Sequence, residues 1–299
     1  MTDAASRPSD APFRGIVLMC LAMMCFVTMN TLIKSMRGEL PVVELIWGRY
    51  FFHAVLILML FPRRIPTLLA STHKGLQILR SLLVLLATAL MFTSVGLMPI
   101  ADIVAITFVA PLLIVILSVA ILHEIVGLRR WAAVIVGFMG VVIILRPGGD
   151  LFTPIALLPL ATAMTYAFYQ VLTRVVSQSA DPLNTLFYSA LVGAVVMTVV
   201  VPFDWVTPDV GQWTKLVAAG LLGGLGHYAI IRAYERAEAS LVAPFAYTEL
   251  IWATGLGFFV FGDLPDTWTF VGAGIIAASG IYIVHRERQV KAARQKTSR

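Results

Sequence analysis

Charge is what this chain most lacks. Lys, Arg, Asp and Glu make up 13% of its 299 residues, about half the share of roughly 25% in a soluble domain. Cysteine is nearly absent too. Cys20 and Cys25 are the two present. Both fall inside the first apolar run, which excludes a disulfide framework and reads them as small buried hydrophobes. The five histidines (53, 73, 123, 227, 285) have no HExxH-type spacing, and no GxSxG, Walker or paired-cysteine motif occurs. These absences argue against an enzyme, a cofactor site, a metal site or an ATP-driven pump within this chain. Long polar segments are missing as well. The longest stretch between apolar runs is 62–76, followed by a 14-residue tail after His285, so no soluble catalytic domain fits.

What the chain has is apolar length. Its hydrophobic fraction is 59%, against about 45–50% in soluble proteins. A membrane-spanning helix needs about 20 apolar residues. Ten runs qualify: 13–34, 42–61, 77–98, 100–122, 128–146, 154–176, 182–202, 212–234, 240–261 and 268–285. They are long and unbroken rather than short and alternating, which predicts helices and not a β-barrel. The first run is too long for a signal peptide and ends at no small-residue cleavage site, so it is read as a permanent helix.

The runs repeat. With a shift of 140 residues, Met24 falls on Met164, Phe26 on Tyr166, Asn30 on Gln170, Leu32 on Leu172 and Lys34 on Arg174. Further on, Trp131 falls near Trp268 and Gly140 on Gly280. Repetition of this period decides architecture before any local motif. Five spans per copy is an odd number, so the second copy enters the membrane from the opposite side. The expectation is an all-α integral membrane protein of ten helices in two inverted five-helix repeats, residues 1–150 and 151–299. Inverted repeats of this kind mark secondary transporters and favour alternating access over a channel.

The net charge of +6 is explained by placement. With the N-terminus in the cytoplasm, 17 of the 22 Lys and Arg share its side, including Arg63, Arg64, Arg80, Arg129, Arg130 and the basic tail. Lys34, Arg37, Arg146 and Lys215 lie opposite, and Arg49 falls within a span. The positive-inside rule puts both termini in the cytoplasm. The tail is read as an orientation anchor rather than a nucleic-acid arm.

The stretch Phe92-Thr-Ser-Val-Gly-Leu-Met-Pro-Ile-Ala-Asp-Ile-Val-Ala-Ile-Thr-Phe-Val-Ala-Pro111 resembles the repeat core of the drug/metabolite transporter superfamily, in its EamA-like ten-helix branch. Arg129-Arg130-Trp131 and Gly137 with Gly140 continue the resemblance. His123-Glu124 departs from the family's Gly-Glu. The second copy is similar through Arg232 to Pro244, then Phe261-Gly262-Asp263, Trp268 and Gly280. The resemblance implies export, or in some members import, of amino acids, drugs or other small metabolites. Tyr247-Thr-Glu-Leu-Ile-Trp252 looks most like bacterial exporters of a broad range of amino acids, aromatic ones included, in the inner membrane. The partners so implied are amino acids and the lipid bilayer, with no nucleic acid; the carrier is a monomer or homodimer.

Charged groups at bilayer depth cost about 2.5–3.5 kcal/mol each, so they need a partner or a wet cavity. Arg49 and Glu249 are the two deepest. They either pair with each other or face the carboxylate and ammonium of a zwitterionic substrate. Glu44 and Asp102 lie nearer helix ends, within reach of interface water. Around Arg49 stand Trp47, Tyr50 and His53. Thr162, Tyr166, Tyr169 and Thr173 form a stripe with Gln170 beside it, and Asn30 is the mate of Gln170. Phe245, Glu249 and Trp252 form another stripe. These faces are read as a ring-lined cavity with a few polar anchors, against the alternative of ordinary helix packing. His227, followed by Tyr228, is the candidate titrating group. Pro111 and Pro244 are expected to kink their helices. The glycine-rich run around Gly224 is either close helix packing or a hinge.

Overall fold

The computed structural model describes residues 10–69, 73–123, 127–146, 153–176, 181–236 and 243–297. Glu124 and the first nine residues lie outside them. Among these residues twelve α-helices carry the fold: α1 Asp10–Met36, α2 Val42–Leu60, α3 Ile65–Leu69, α4 Lys74–Val95, α5 Ile100–Thr107 and α6 Ala110–Leu122, followed by α7 Leu128–Leu145, α8 Leu157–Val176, α9 Pro182–Val200, α10 Val210–Arg236, α11 Thr248–Leu256 and α12 Thr267–Thr297. Among the described residues there is no strand, and the sole β-bridge joins Arg37 to Leu40. Among the described residues seven segments are long and apolar enough to cross a membrane, and shorter apolar helices at Trp131–Leu145, Phe245–Phe261 and Thr267–Tyr282 complete the ten.

Helix ends follow local chemistry. Asp181 caps α9 by accepting from the Leu183 N–H at 2.9 Å, and Asp266 caps α12 by accepting from the Thr269 N–H at 2.7 Å. The two expected proline kinks are sharper than bends. Phe108 and Val109 interrupt the fourth span, and Pro111 sits in the first turn of the new helix α6. Proline has no N–H to offer the carbonyl four residues back, so the break falls where the ladder must lose a bond. Pro244 lies in a 3₁₀ turn, Ala243–Tyr247, before α11, and a π-helical turn, Gly257–Phe261, ends that span. The ninth span is therefore three short segments rather than one kinked helix.

Packing between the halves comes in mated pairs. The first helix of one half lies on the third of the other, α1 on α10 and α4 on α8; α2 meets α9 near the centre; and α7 meets α12. Glycines set the last contact. A Cβ on Gly140 would lie 2.7 Å from the Gly272 carbonyl oxygen, so the two backbones touch where any side chain would separate them. Beside them Ser279 donates to the Ala133 carbonyl.

Polar groups in this apolar body are tied internally, because lipid satisfies none of them. Arg80, read from the sequence as part of the basic cytoplasmic fringe, is instead fully buried. It donates to Gln77, Thr173, Ser189 and the Thr185 carbonyl, and its guanidinium lies 5.0 Å over the Tyr169 ring. Four neutral oxygens and a ring face replace the water it was expected to meet. Glu44 and Asp102 are also buried rather than wetted. Glu44 accepts from the Val206 N–H at 3.2 Å and Asp102 from the Thr269 hydroxyl at 3.1 Å.

Candidate functional site

A cavity of about 480 Å³ lies between the halves, within the range of roughly 300–1,000 Å³ of small-molecule sites. Both repeats supply its wall. From α1 come Asn30, Met19, Met23, Phe26 and Met29; from α2, Arg49; from α4, Thr88, Met91 and Phe92. The broken span gives Thr107, Phe108 and Pro111, so the interrupted ladder faces this space rather than lipid. The second half adds Thr162, Tyr166 and Gln170 from α8, His227 from α10, Tyr247 from the 3₁₀ turn and Glu249 from α11.

Eight residues singled out in the sequence as site candidates are thus brought together: Asn30, Arg49, Pro111, Thr162, Tyr166, Gln170, His227 and Glu249. The repeat mates Asn30 and Gln170 face the same space. Gln170 donates to the Tyr166 hydroxyl at 2.9 Å, while the Asn30 side-chain oxygen is buried without a partner. Arg49 donates to the Thr88 hydroxyl and packs over the Tyr50 and Phe92 rings, 4.8 and 5.8 Å from their centroids. Its Nε has no partner.

Arg49 and Glu249 form no ion pair. Among the described residues the salt bridges are Lys34–Asp263 and Arg146–Asp266, both away from the cavity. No hydrogen-bond or ion-pair partner among those residues meets Glu249. Two opposite charges in one cavity, each without a counter-charge among the described residues, leave room for a ligand's own charges.

Other expected wall residues stand elsewhere. Trp47 donates to the Thr198 hydroxyl at 3.1 Å and joins Phe51, Phe52, Trp205 and Trp213 in a ring cluster at one end of α2. Tyr50 is buried behind the wall and shares a 2.9 Å hydrogen bond with Thr88, which positions the hydroxyl that Arg49 uses. Tyr169 lies under Arg80, and Tyr228 packs on Phe61. Trp252 points outward, 37% exposed, because the break at Phe245–Tyr247 sets the rotational phase of α11. Gly224 sits in an uninterrupted α10, where a Cβ would lie 2.8 Å from His53 Cδ2. Four methionines, not named as site candidates in the sequence, complete the wall together with Tyr247, which entered there only as part of the Tyr247–Trp252 run. Methionine is common in apolar helices and gives no directional signal. Among the described residues no three His, Cys, Asp or Glu side chains come together as a metal site.

Comparison with known proteins agrees with this frame. Residues 13–146 and 153–285 each match the EamA-like transporter family. A riboflavin transporter of Vibrio cholerae is 31% identical over 92% of this chain and 94% of its own. An S-adenosylmethionine uptake transporter of Rickettsia bellii is 28% identical over 92% of this chain and 94% of its own. A pseudopaline exporter of Pseudomonas aeruginosa is 24% identical over 89% and 94%. One solved crystal structure superposes with a TM-score of 0.62 at 18% identity, covering 95% of this chain and 99% of that one, and shares the fold.

Proposed function

The chain belongs to the EamA-like transporter family, and from that membership we propose that it is a secondary transporter that carries a small, ring-bearing metabolite across a bacterial inner membrane by alternating access. The observation that carries this reading is the cavity between the halves. Its wall combines the rings of Phe26, Phe92, Phe108, Tyr166 and Tyr247 with two unpaired opposite charges and the amides of Asn30 and Gln170. Ring faces accept flat apolar groups and cations alike. Methionines adapt to irregular shapes. The basic residues on the side of the N-terminus support cytoplasmic termini.

The named relatives favour a metabolite larger than an amino acid. Riboflavin and S-adenosylmethionine both carry a fused ring system with polar groups, and a cavity of about 480 Å³ has the size for one. Export of amino acids, aromatic ones included, is the narrower reading. It rests on the likeness of the Tyr247–Trp252 run to such exporters and on Arg49 and Glu249 sharing one space.

Purified protein in liposomes tests both. Labelled riboflavin, S-adenosylmethionine, phenylalanine, tryptophan and threonine are offered, with empty liposomes as control. Saturable flux of riboflavin or S-adenosylmethionine supports the broader reading. Flux of the amino acids alone replaces it with the narrower one. Absence of flux for every probe, with folded protein, overturns both.

A further inference from the structure

We infer that His53 and His227 together form a proton site coupled through Arg49 to an anionic group on the substrate, which makes the carrier a proton symporter. The inference rests on the carrier reading above and adds the coupling ion.

The geometry begins with the glycines of α10. A Cβ on Gly220 would lie 2.4 Å from Phe52 Cβ, and one on Gly224 would lie 2.8 Å from His53 Cδ2. Their absence lets α10 press against α2. The contact sets the two imidazoles parallel, 6.0 Å between centroids and 4° between planes. His227 lines the cavity and meets the Phe26 ring edge-on at 4.9 Å. His53 lies behind it, buried, one turn from Arg49, with Nε2 unpartnered. A buried polar atom without a partner is uncommon, and in a membrane it marks function before structure. The pair thus joins an imidazole on the cavity wall to a buried one whose Nε2 meets no partner among the described residues.

Charge gives the pair its logic. The helices packed on α10 here are α1, α2 and α9. They bring to this region Arg49 and His53 from α2, while Arg80 of α4 acts from farther off. The one carboxylate of the cavity wall, Glu249, belongs to α11. With the cavity empty, burial first and the charge of Arg49 second oppose an added proton on the pair. A carboxylate or other anion seated on Arg49 removes the second of these. Proton and anion then favour each other's binding by the same factor, as linkage requires. Cooperative binding of both is the condition for symport, and an inward proton gradient would drive uptake.

The test uses the full chain in proteoliposomes loaded with a pH-sensitive dye. Phenylalanine and S-adenosylmethionine are the probes that carry a carboxylate; riboflavin carries none. For a carboxylate probe the expected result is lumenal acidification with net influx, and uptake about tenfold faster at an outer pH of 6 than of 8, within the usual range of coupling between two sites. Riboflavin flux brings no acidification. His53→Gln, which leaves the cavity wall intact, abolishes accumulation driven by the pH gradient, while exchange of labelled for unlabelled probe remains measurable; His53→Asn serves where the first variant does not fold. Flux of a carboxylate probe without acidification, exchange confined to riboflavin, or pH-driven accumulation that survives both variants overturns the proton site and leaves the carrier standing. Absence of exchange for every probe overturns the carrier and the site together.

Discussion

The Lys34 ammonium lies 2.5 Å from the Asp263 carboxylate, tying the last turn of α1 to the turn that ends the broken ninth span. The same ammonium reaches the Met98 carbonyl at 3.4 Å and sits 4.7 Å over the Phe261 ring. Arg146 pairs with Asp266 nearby, and Thr269 donates to Asp102. Elements of both halves are therefore fastened to each other at one end of the bundle. Alternating access requires such fastenings to open.

Asp263→Asn should loosen this end. The pair is partly exposed, so its worth is on the order of 1 kcal/mol, a few-fold change in the balance between the two faces of the carrier. Flux should change by about that factor, and the swapped pair Lys34→Asp with Asp263→Lys should recover part of it. Equal loss in the single and swapped variants would show that the pair has no part in gating.

Asp266 gives a pH dependence whose sign is fixed. Partial burial alone would raise its carboxyl, but bonds from the backbone N–H groups of Thr269 and Trp268 and the charge of Arg146 outweigh it and hold the group below its ordinary value. A carboxylate lowered in the folded state stabilises above its unfolded value of about 3.9 and loses that contribution as pH falls through the folded value. Thermal melts in detergent should drop below about pH 4, and Asp266→Asn should flatten that limb. An unchanged acid limb in the variant would assign it to other carboxylates.

Glu249→Gln and Arg49→Ala should each reach the membrane and lose more than about tenfold in flux, since a charge built to meet a ligand's charge costs roughly 1.5–3 kcal/mol when its hydrogen bond is lost. Transport assays with surface-expression controls check this. Near-normal flux in both variants would return the two residues to packing.

Trp252→Ala should leave the ranking of substrates unchanged, because the ring lies outside the cavity wall and is 37% exposed. Tyr247→Leu, five residues earlier in the chain and on the cavity wall, should alter it. A competition panel distinguishes the two; a changed ranking in the tryptophan variant alone would place the site on the other face of α11.

The contrast between these residues shows what the sequence could carry. Span number and repeat were legible because insertion into lipid is a question of length and composition. Asn30 and Gln170 were legible as mates because the repeat itself relates them. The rings were not. In a soluble helix, polarity marks the outer face; here lipid and protein are equally apolar, so nothing in Trp47, Tyr228 or Trp252 says which way each points. Rotational phase after the break at Phe245–Tyr247 decided for Trp252, and packing against Trp205 and Trp213 decided for Trp47. Buried Arg80 escaped for the opposite reason: its partners, Thr173, Thr185 and Ser189, lie about a hundred residues away and are neutral.

Gly224 allows the packing and hinge readings of α10 to be separated. A Cβ there would lie 2.8 Å from His53 Cδ2 and 2.9 Å from Leu56 Cδ2, with α10 unbroken on either side. Overfilling a packed contact costs about 1–3 kcal/mol, against about 1 kcal/mol gained when alanine replaces glycine in a helix. Gly224→Ala should therefore lower the midpoint of thermal unfolding. Gly255→Ala in α11, where a Cβ meets nothing within 4 Å, should leave it unchanged or raise it. A hinge predicts the reverse pattern for Gly224, with slower flux and an unaltered melt. Melting and flux measured on the same preparations decide between them, because overpacking acts on the folded state itself whereas a stiffened hinge acts on the exchange between two folded states.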